Sequence, residues 1–200
     1  MESSVNTPRR RYDASRRQAV ADETRRRILR AARALFLERG YTATTMPAIA
    51  DAAEVAVDTL YATIGPKPAI FRLLIETAIS GTDDAVPALD REYVRQIHAE
   101  SDPARKLERY AHAVRMIQGR LAPLVVHLRE AARSEPQLAA LWQEISSRRA
   151  ANMRLFAAEI EAAGGLRSGL SIEDAADIIW ATNSPEFYLL LVHERGWPPD

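Results

Sequence analysis

Residues 41–71 read YTATTMPAIADAAEVAVDTLYATIGPKPAIF, and the way this stretch folds decides the architecture of the chain. Thr45 stands where an N-cap belongs, ahead of Met46 and Pro47. A first-turn proline loses nothing there, because the N–H groups of that turn have no intrahelical partner. The helix it opens is short, about 46–53. After Glu54 and Val55 another begins, about 57–64, with Val57, Leu60 and Ile64 at i, i+3 and i+7 on one side. Asp58, Thr59, Tyr61, Ala62 and Thr63 cover its other faces. Helices of this length bury too little to stand alone, so both must lean on their neighbours.

The neighbour upstream is a longer helix. Across 22–39 the apolar residues Ile28, Ala32, Leu35 and Phe36 fall at i, i+4, i+7 and i+8, one face of a 3.6-residue repeat, while Arg25, Arg26, Arg27, Arg30 and Arg33 take the rest. Gly40 stops it, as a residue that tolerates the left-handed conformation can. A three-helix unit with its last helix exposed is the arrangement that helix-turn-helix readers use to enter a major groove. Charge supports that assignment: residues 1–76 hold 13 Arg and Lys against 9 Asp and Glu, a net +4, and residues 77–200 hold 14 against 18, a net −4. A chain of zero overall charge is thus split, with its basic end carrying the motif. The first 20 residues, with Arg9, Arg10, Arg11, Arg16 and Arg17 and little apolar periodicity, read as a disordered basic arm, either a solvated tail or a DNA-contacting one.

Beyond Lys67 the pattern is helical throughout, so the fold class is all-α: an N-terminal helix-turn-helix domain (21–66) followed by a larger helical bundle (67–200). One helix is expected over 68–80, with Ile70, Leu73, Leu74, Thr77 and Ala78 inward, and another over 87–98. Asp102-Pro103 reads as an N-cap and first-turn proline opening a helix striped by Leu107, Tyr110, Val114 and Ile117, and Gly119 weakens its end. Helices over 121–133 and 136–163 follow, the second stopped by Gly164-Gly165. Ser171, with Asp174 at capping-box spacing, opens a last helix that Pro185 should kink before it ends near His193.

Several chemistries are excluded by what the sequence lacks. It has no cysteine, hence no disulfide, thiolate nucleophile or cysteine-ligated zinc. His98, His112, His127 and His193 are scattered, with no H-E-x-x-H, so no metal site is expected. No glycine-rich phosphate loop is present, and no cofactor or enzyme activity is expected. No run of eighteen apolar residues suggests a membrane span and no apolar stretch follows the arginine-rich start, so a cytoplasmic protein is expected.

Residues 24–76 resemble the DNA-binding domain of the TetR family of bacterial transcriptional regulators. The resemblance rests on Gly40-Tyr41 closing the first helix, Thr44-Thr45 capping the second, Ile49-Ala50 within it, Thr59-Leu60-Tyr61 in the recognition helix and Lys67 opening the fourth. It implies that Thr45, Tyr61 and Lys67 touch backbone phosphates and that Val57, Asp58, Thr59 and Ala62 lie against bases, with Thr63 on the same DNA-facing helix. Four features depart from the family pattern. Glu54 replaces the usual turn glycine, Ala56 the usual serine cap and Ile64 an aromatic, and Pro66 and Pro68 flank Lys67. A positive φ at Glu54 would cost about 1 kcal/mol, and the lost cap about as much. Asp58 facing DNA must accept from a base amino group such as cytosine N4, or be repelled by phosphates.

The layout downstream is similar to the family in architecture only. It implies a C-terminal domain that binds a small-molecule effector and a homodimer built on the last two long helices, with Leu138, Leu141, Trp142, Ile145, Ile178, Ile179, Phe187, Leu190 and Leu191 as its apolar surface. The function implied is a ligand-responsive repressor, dimeric on a palindromic double-stranded operator. A helical ligand- or protein-binding module that has lost its operator, and an enzyme, stay as alternatives. Tyr110, His127, Trp142, Trp180, Asn183 and Tyr188 are polar-tipped groups on apolar helices. They are candidates for the effector pocket or, alternatively, hydrogen-bonded core groups. Family members carry further helical sequence past the point where Gly196-Trp197-Pro198-Pro199 ends this chain, which leaves a shortened C-terminus open.

Overall fold

A computed structural model describes the backbone of residues 9–199 and the side chains of 15–199. Every regular element among them is helical, so the fold is all-α. In chain order these are α1 (Arg9–Ala43), α2 (Met46–Ala52), α3 (Val57–Thr63), α4 (Lys67–Ser80), a 3-10 turn (Ala88–Asp90), α5 (Glu92–Ala99), α6 (Pro103–Ala131), α7 (Pro136–Ala162), α8 (Ile172–Thr182) and α9 (Pro185–Leu189), which passes into a π-turn (Leu190–Glu194). The chain divides into two compact units between Phe71 and Arg72, inside α4.

The first unit is built on α1. Its backbone continues to Arg9, well into the stretch read as a disordered arm, while residues 1–8 lie outside the described residues. Residues 9–22 hold no Gly or Pro and are rich in Arg and Ala, good helix formers. Gln18 also donates to Asp22 Oδ1 at 2.9 Å one turn on. α1 breaks at Gly40 (φ 77°, ψ 172°), so Tyr41 can swing back onto the helix it has just left. The ring of Tyr41 stacks on Phe36 at 5.6 Å, and Phe71 meets both edge-on, at 5.0 Å from Phe36 and 5.4 Å from Tyr41. These rings close a core with Ile28, Ala32, Ile49, Leu60 and Ile70, all fully buried. Phe71, absent from the expected inward face of α4, is a principal part of it. Its place in this core is why the unit boundary falls after it.

The second unit packs α5 to α9 around the long pair α6 and α7. α6 runs unbroken through Gly119 and Pro123, where two helices were expected. The two breakers lie one turn apart, so the N–H that Pro123 lacks is the one that would have reached the Gly119 carbonyl, and a single turn absorbs both defects. Leu107, expected on the inward stripe, is exposed. α8 meets α7 through small residues, Ala175 and Ala176 against Ala157 and Met153. Ser171 Oγ accepts from the Asp174 N–H at 3.0 Å, as the capping spacing requires. The expected kink at Pro185 is instead a break. Ser184 is extended (φ −72°, ψ 149°) and caps a new helix, accepting from the Phe187 N–H at 3.0 Å. Pro185 then sits at a helix start, where it costs nothing. Gly164 (φ 72°) stops α7, and at Gly165 a Cβ would fall 2.4 Å from the Pro103 Cβ, so only glycine lets this loop lie against the start of α6. The 87–98 helix is a 3-10 turn followed by α5.

Candidate nucleic-acid interface and helical cavity

In the first unit, α2 and α3 form the helix-turn-helix. Thr45 caps α2, its Oγ1 accepting from the Ala48 N–H at 3.3 Å. The preceding Thr44 is almost wholly buried, and its hydroxyl lies 2.8 Å from the Gly40 carbonyl and 3.1 Å from the Leu35 carbonyl. That contact ties the loop to the end of α1, so the cap of α2 is placed by the core below it.

α2 ends in a Schellman turn: the Val55 N–H reaches the Ala50 carbonyl at 3.0 Å and the Glu54 N–H the Asp51 carbonyl at 3.1 Å. Glu54 therefore occupies the left-handed C′ position (φ 53°), and it is the one non-glycine residue with positive φ among the described residues. The conditional strain foreseen from the sequence is present. Ala56 sits at the N-cap of α3 without a side-chain bond.

Leu60 anchors α3 inward, fully buried, which turns Asp58, Thr59, Tyr61 and Ala62 to solvent; Val57 and Thr63 are half-buried and Thr45 is exposed. Tyr61 is 48% exposed, more than a core role would allow. Thr63 donates its hydroxyl proton to the Thr59 carbonyl at 2.6 Å, which commits that donor within the helix. Lys67 is braced on its own unit: Nζ donates to the Tyr41 and Thr44 carbonyls, each at 3.0 Å, and lies 4.1 Å from the centre of the Tyr41 ring. A cation is thus fixed beside the loop that starts α2, holding the loop as well as charging it. Between Gly40 and Pro66 there is no Lys or Arg, while Asp51, Glu54 and Asp58 are exposed. Apart from Lys67, the basic residues of this unit lie on α1, where Arg26 and Arg30 both pair with Glu23, at 3.0 and 3.1 Å.

The second unit contains a cavity of about 860 Å³, bounded by α4, the 3-10 turn, α5, α6, α7 and the α8–α9 junction. Three of the residues singled out from sequence, Tyr110, Trp142 and Asn183, line it; His127, Trp180 and Tyr188 do not. Trp180 packs with the Met153–Ala157 cluster between α7 and α8 under the guanidinium of Arg149, 4.4 Å from its ring. The Tyr110 phenol donates to Met153 Sδ at 2.9 Å and accepts from the Asn183 amide. Burial pushes its pKa up to about 12, so it stays protonated at neutral pH.

Among the polar wall residues that the sequence reading missed are Gln118 and Arg149. Both were findable: Gln118 repeats the 110, 114 spacing of α6, and Arg149 falls four residues after Ile145 on the buried stripe of α7. Gln118 Oε1 and Arg149 Nε are buried without a hydrogen-bond partner.

Residues 28–72 match the family model described as bacterial regulatory proteins, tetR family. Among solved structures, Salmonella enterica GusR shares the fold with a TM-score of 0.62 and 26% identity, over 80% of this chain and 79% of that one. A comparison with curated proteins gives no match. An exposed α3 on a helix-turn-helix core, the family match over that same segment and a likeness spanning both units agree: residues 28–72 are a DNA-binding domain of the TetR type, and the chain is a DNA-binding transcriptional regulator.

Proposed function

We propose that this regulator is a ligand-responsive repressor, dimeric on a partly palindromic operator, with α3 of each subunit in a successive major groove about 34 Å from its mate. The observation that carries the reading is the pairing of a well-packed unit whose α3 turns its polar face to solvent with a second unit that encloses a drug-sized cavity. In this reading Thr45, Tyr61 and Lys67 meet phosphates, and Val57, Asp58, Thr59, Ala62 and Thr63 face the bases.

Dimerisation is supported by a distinction among the apolar residues of α7 to α9. Leu138, Leu141 and Ile145 are consumed by the unit's own core, and Trp142, Ile179 and Leu191 are partly buried. Ile178, Phe187 and Leu190 remain exposed and need a cover. A ligand in the cavity touches Glu76 and Ile79 of α4, the helix whose first residue is Lys67. A ligand favouring a non-matching spacing of the two reading helices would draw the population off DNA. No described helix is long and apolar enough to cross a membrane, and the reading places the protein in the cytoplasm with its operator.

The test is selection of bound duplexes from a random pool, followed by shift assays on the selected site. An enriched palindrome, bound by a dimer, is the expected outcome. Asp58→Asn should then change the preferred base at one position of each half-site by about 1–3 kcal/mol. The second reading, a module that no longer binds an operator, is favoured by the acidic, lysine- and arginine-free 41–65 stretch, and a pool returning no enriched sequence would establish it.

A further inference from the structure

We propose that the cavity of the second unit takes an amphipathic organic acid, an apolar body whose carboxylate pairs with Arg149 and whose hydrogen-bond donor meets Gln118. This rests on the reading of that cavity as an effector site.

The charge pattern of the wall carries the inference. Of the cationic side chains around the cavity, Arg148 pairs with Glu76 at 2.8 Å and Arg91 stands 4.0 Å from the same carboxylate. The remaining wall carboxylate, Glu159, is bound by Lys106 at 2.8 Å and His98 at 2.6 Å. Arg149 has no carboxylate within ion-pair distance among the described residues. Its partners are neutral: the Trp180 carbonyl at 3.1 Å and the indole face. Glu186, whose field also reaches it, is itself bonded to Arg129 at 2.6 Å. Burial lowers the pKa of Arg149, the mark of a cation short of water and counter-charge. An anion brought in by a ligand would supply what the protein does not.

Gln118 fixes the second point. The residue is 5% exposed, and its Nε2 donates to the Asn183 backbone carbonyl, an acceptor with no donor role. The amide therefore cannot be flipped, and Oε1 is the acceptor left unmet at the wall. Asn183 Oδ1 is also unmet, but its amide can be exchanged end for end against the Tyr110 phenol, so it does not discriminate. Between these points Ile97, Val114, Ile117, Leu121, Val125 and Phe156 give the wall an apolar stretch, and Tyr93 and Asn152 add further neutral polar groups to it.

The experiment is titration calorimetry on the full chain with 2-naphthylacetate and decanoate, each against the primary alcohol and primary amine of the same skeleton, and with 10-hydroxydecanoate against decanoate. The acids should bind near one per chain and roughly tenfold or more tighter than the alcohols, with the amines weakest. Arg149→Met should erase the preference for acid while Arg149→Lys keeps it, and Gln118→Leu should erase the gain from the terminal hydroxyl. Equal affinity for acid and alcohol, or no binding by either acid, overturns the proposal on the wild-type chain alone, whatever the variants do to folding. Failure here is separable from failure of the repressor reading, which is scored by operator shifts without any probe; acids that bind yet leave the DNA complex intact would refute the effector role and keep the ligand class.

Discussion

The two units differ most in how completely they satisfy themselves. In the first, the large apolar side chains at the centre are fully buried and three aromatic rings interlock. Its buried hydroxyl at Thr44 reaches two carbonyls, and Arg27 Nε is its one unmet buried polar side-chain atom among the described residues. In the second, two amide oxygens and a guanidinium N–H around a cavity of about 860 Å³ are left without partners. A surface that reads a rigid duplex must be held in one geometry, so nothing beneath it is left to choose. On the proposed effector reading, a site that answers a ligand must have something to gain from it, and the unmet polar groups of the wall are that reserve.

The sharpest way to break this comparison is to delete volume from each unit. Phe71→Ala should cost about 3–5 kcal/mol in urea unfolding and abolish operator shifts, because the ring fills a packed core that cannot collapse. Val114→Ala, on a wall that already borders open space, should cost about 1 kcal/mol or less. Similar losses at both positions would show the cavity wall to be as tightly packed as the reading unit.

Lys67→Ala comes next. Losing two charge-assisted hydrogen bonds to carbonyls should cost about 1.5–3 kcal/mol. Binding should weaken about equally on all operator variants, with the salt slope flattened by roughly one per subunit if the cation also meets phosphate. A stability loss with an unchanged salt slope would make Lys67 a brace alone.

The one strained residue of the reading unit gives a smaller effect of opposite sign. Glu54→Gly should stabilise the chain by about 0.5–1 kcal/mol, the relief of a left-handed non-glycine less the extra freedom gained by the unfolded chain. No gain would mean that the turn's own hydrogen bonds already offset the strain.

The smallest effect belongs to the surface of the second unit, where Arg72 grips Glu144 through two bonds of 2.8 and 2.7 Å. The Arg72 hydrogen bonds hold the Glu144 carboxyl below its usual pKa. Its contribution is therefore full above the unfolded carboxyl value and disappears as pH falls through the lowered folded one. Both groups are largely solvated, so Glu144→Gln should cost only about 0.5 kcal/mol at pH 7 and progressively less on acidification, read from unfolding midpoints at neutral and acid pH. A cost that persists in acid would point to packing rather than charge.

Local chemistry alone set a good part of this molecule. The Thr45, Asp102 and Ser171 caps, the stops at Gly40 and Gly164 and the Ile28 to Phe36 stripe are dictated by backbone donors and a 3.6-residue period, which act over a turn or two. Those signals were enough to place the later part of α1, α2 to α4 and the exposed face of α3, but not the extension of α1 back to Arg9. Tertiary structure decided what local signals leave degenerate. α6 passes through Gly119 and Pro123 because packing on both sides outweighs two local breakers in one turn. Leu138 and Ile178 look alike in sequence, but one closes the core and the other stays in solvent. Lys67 spans 26 residues to reach Tyr41, and Arg149 is left without a carboxylate while Glu186, whose field reaches it, is bonded to Arg129. Which charges pair depends on distances across the fold, and no spacing along the chain encodes them.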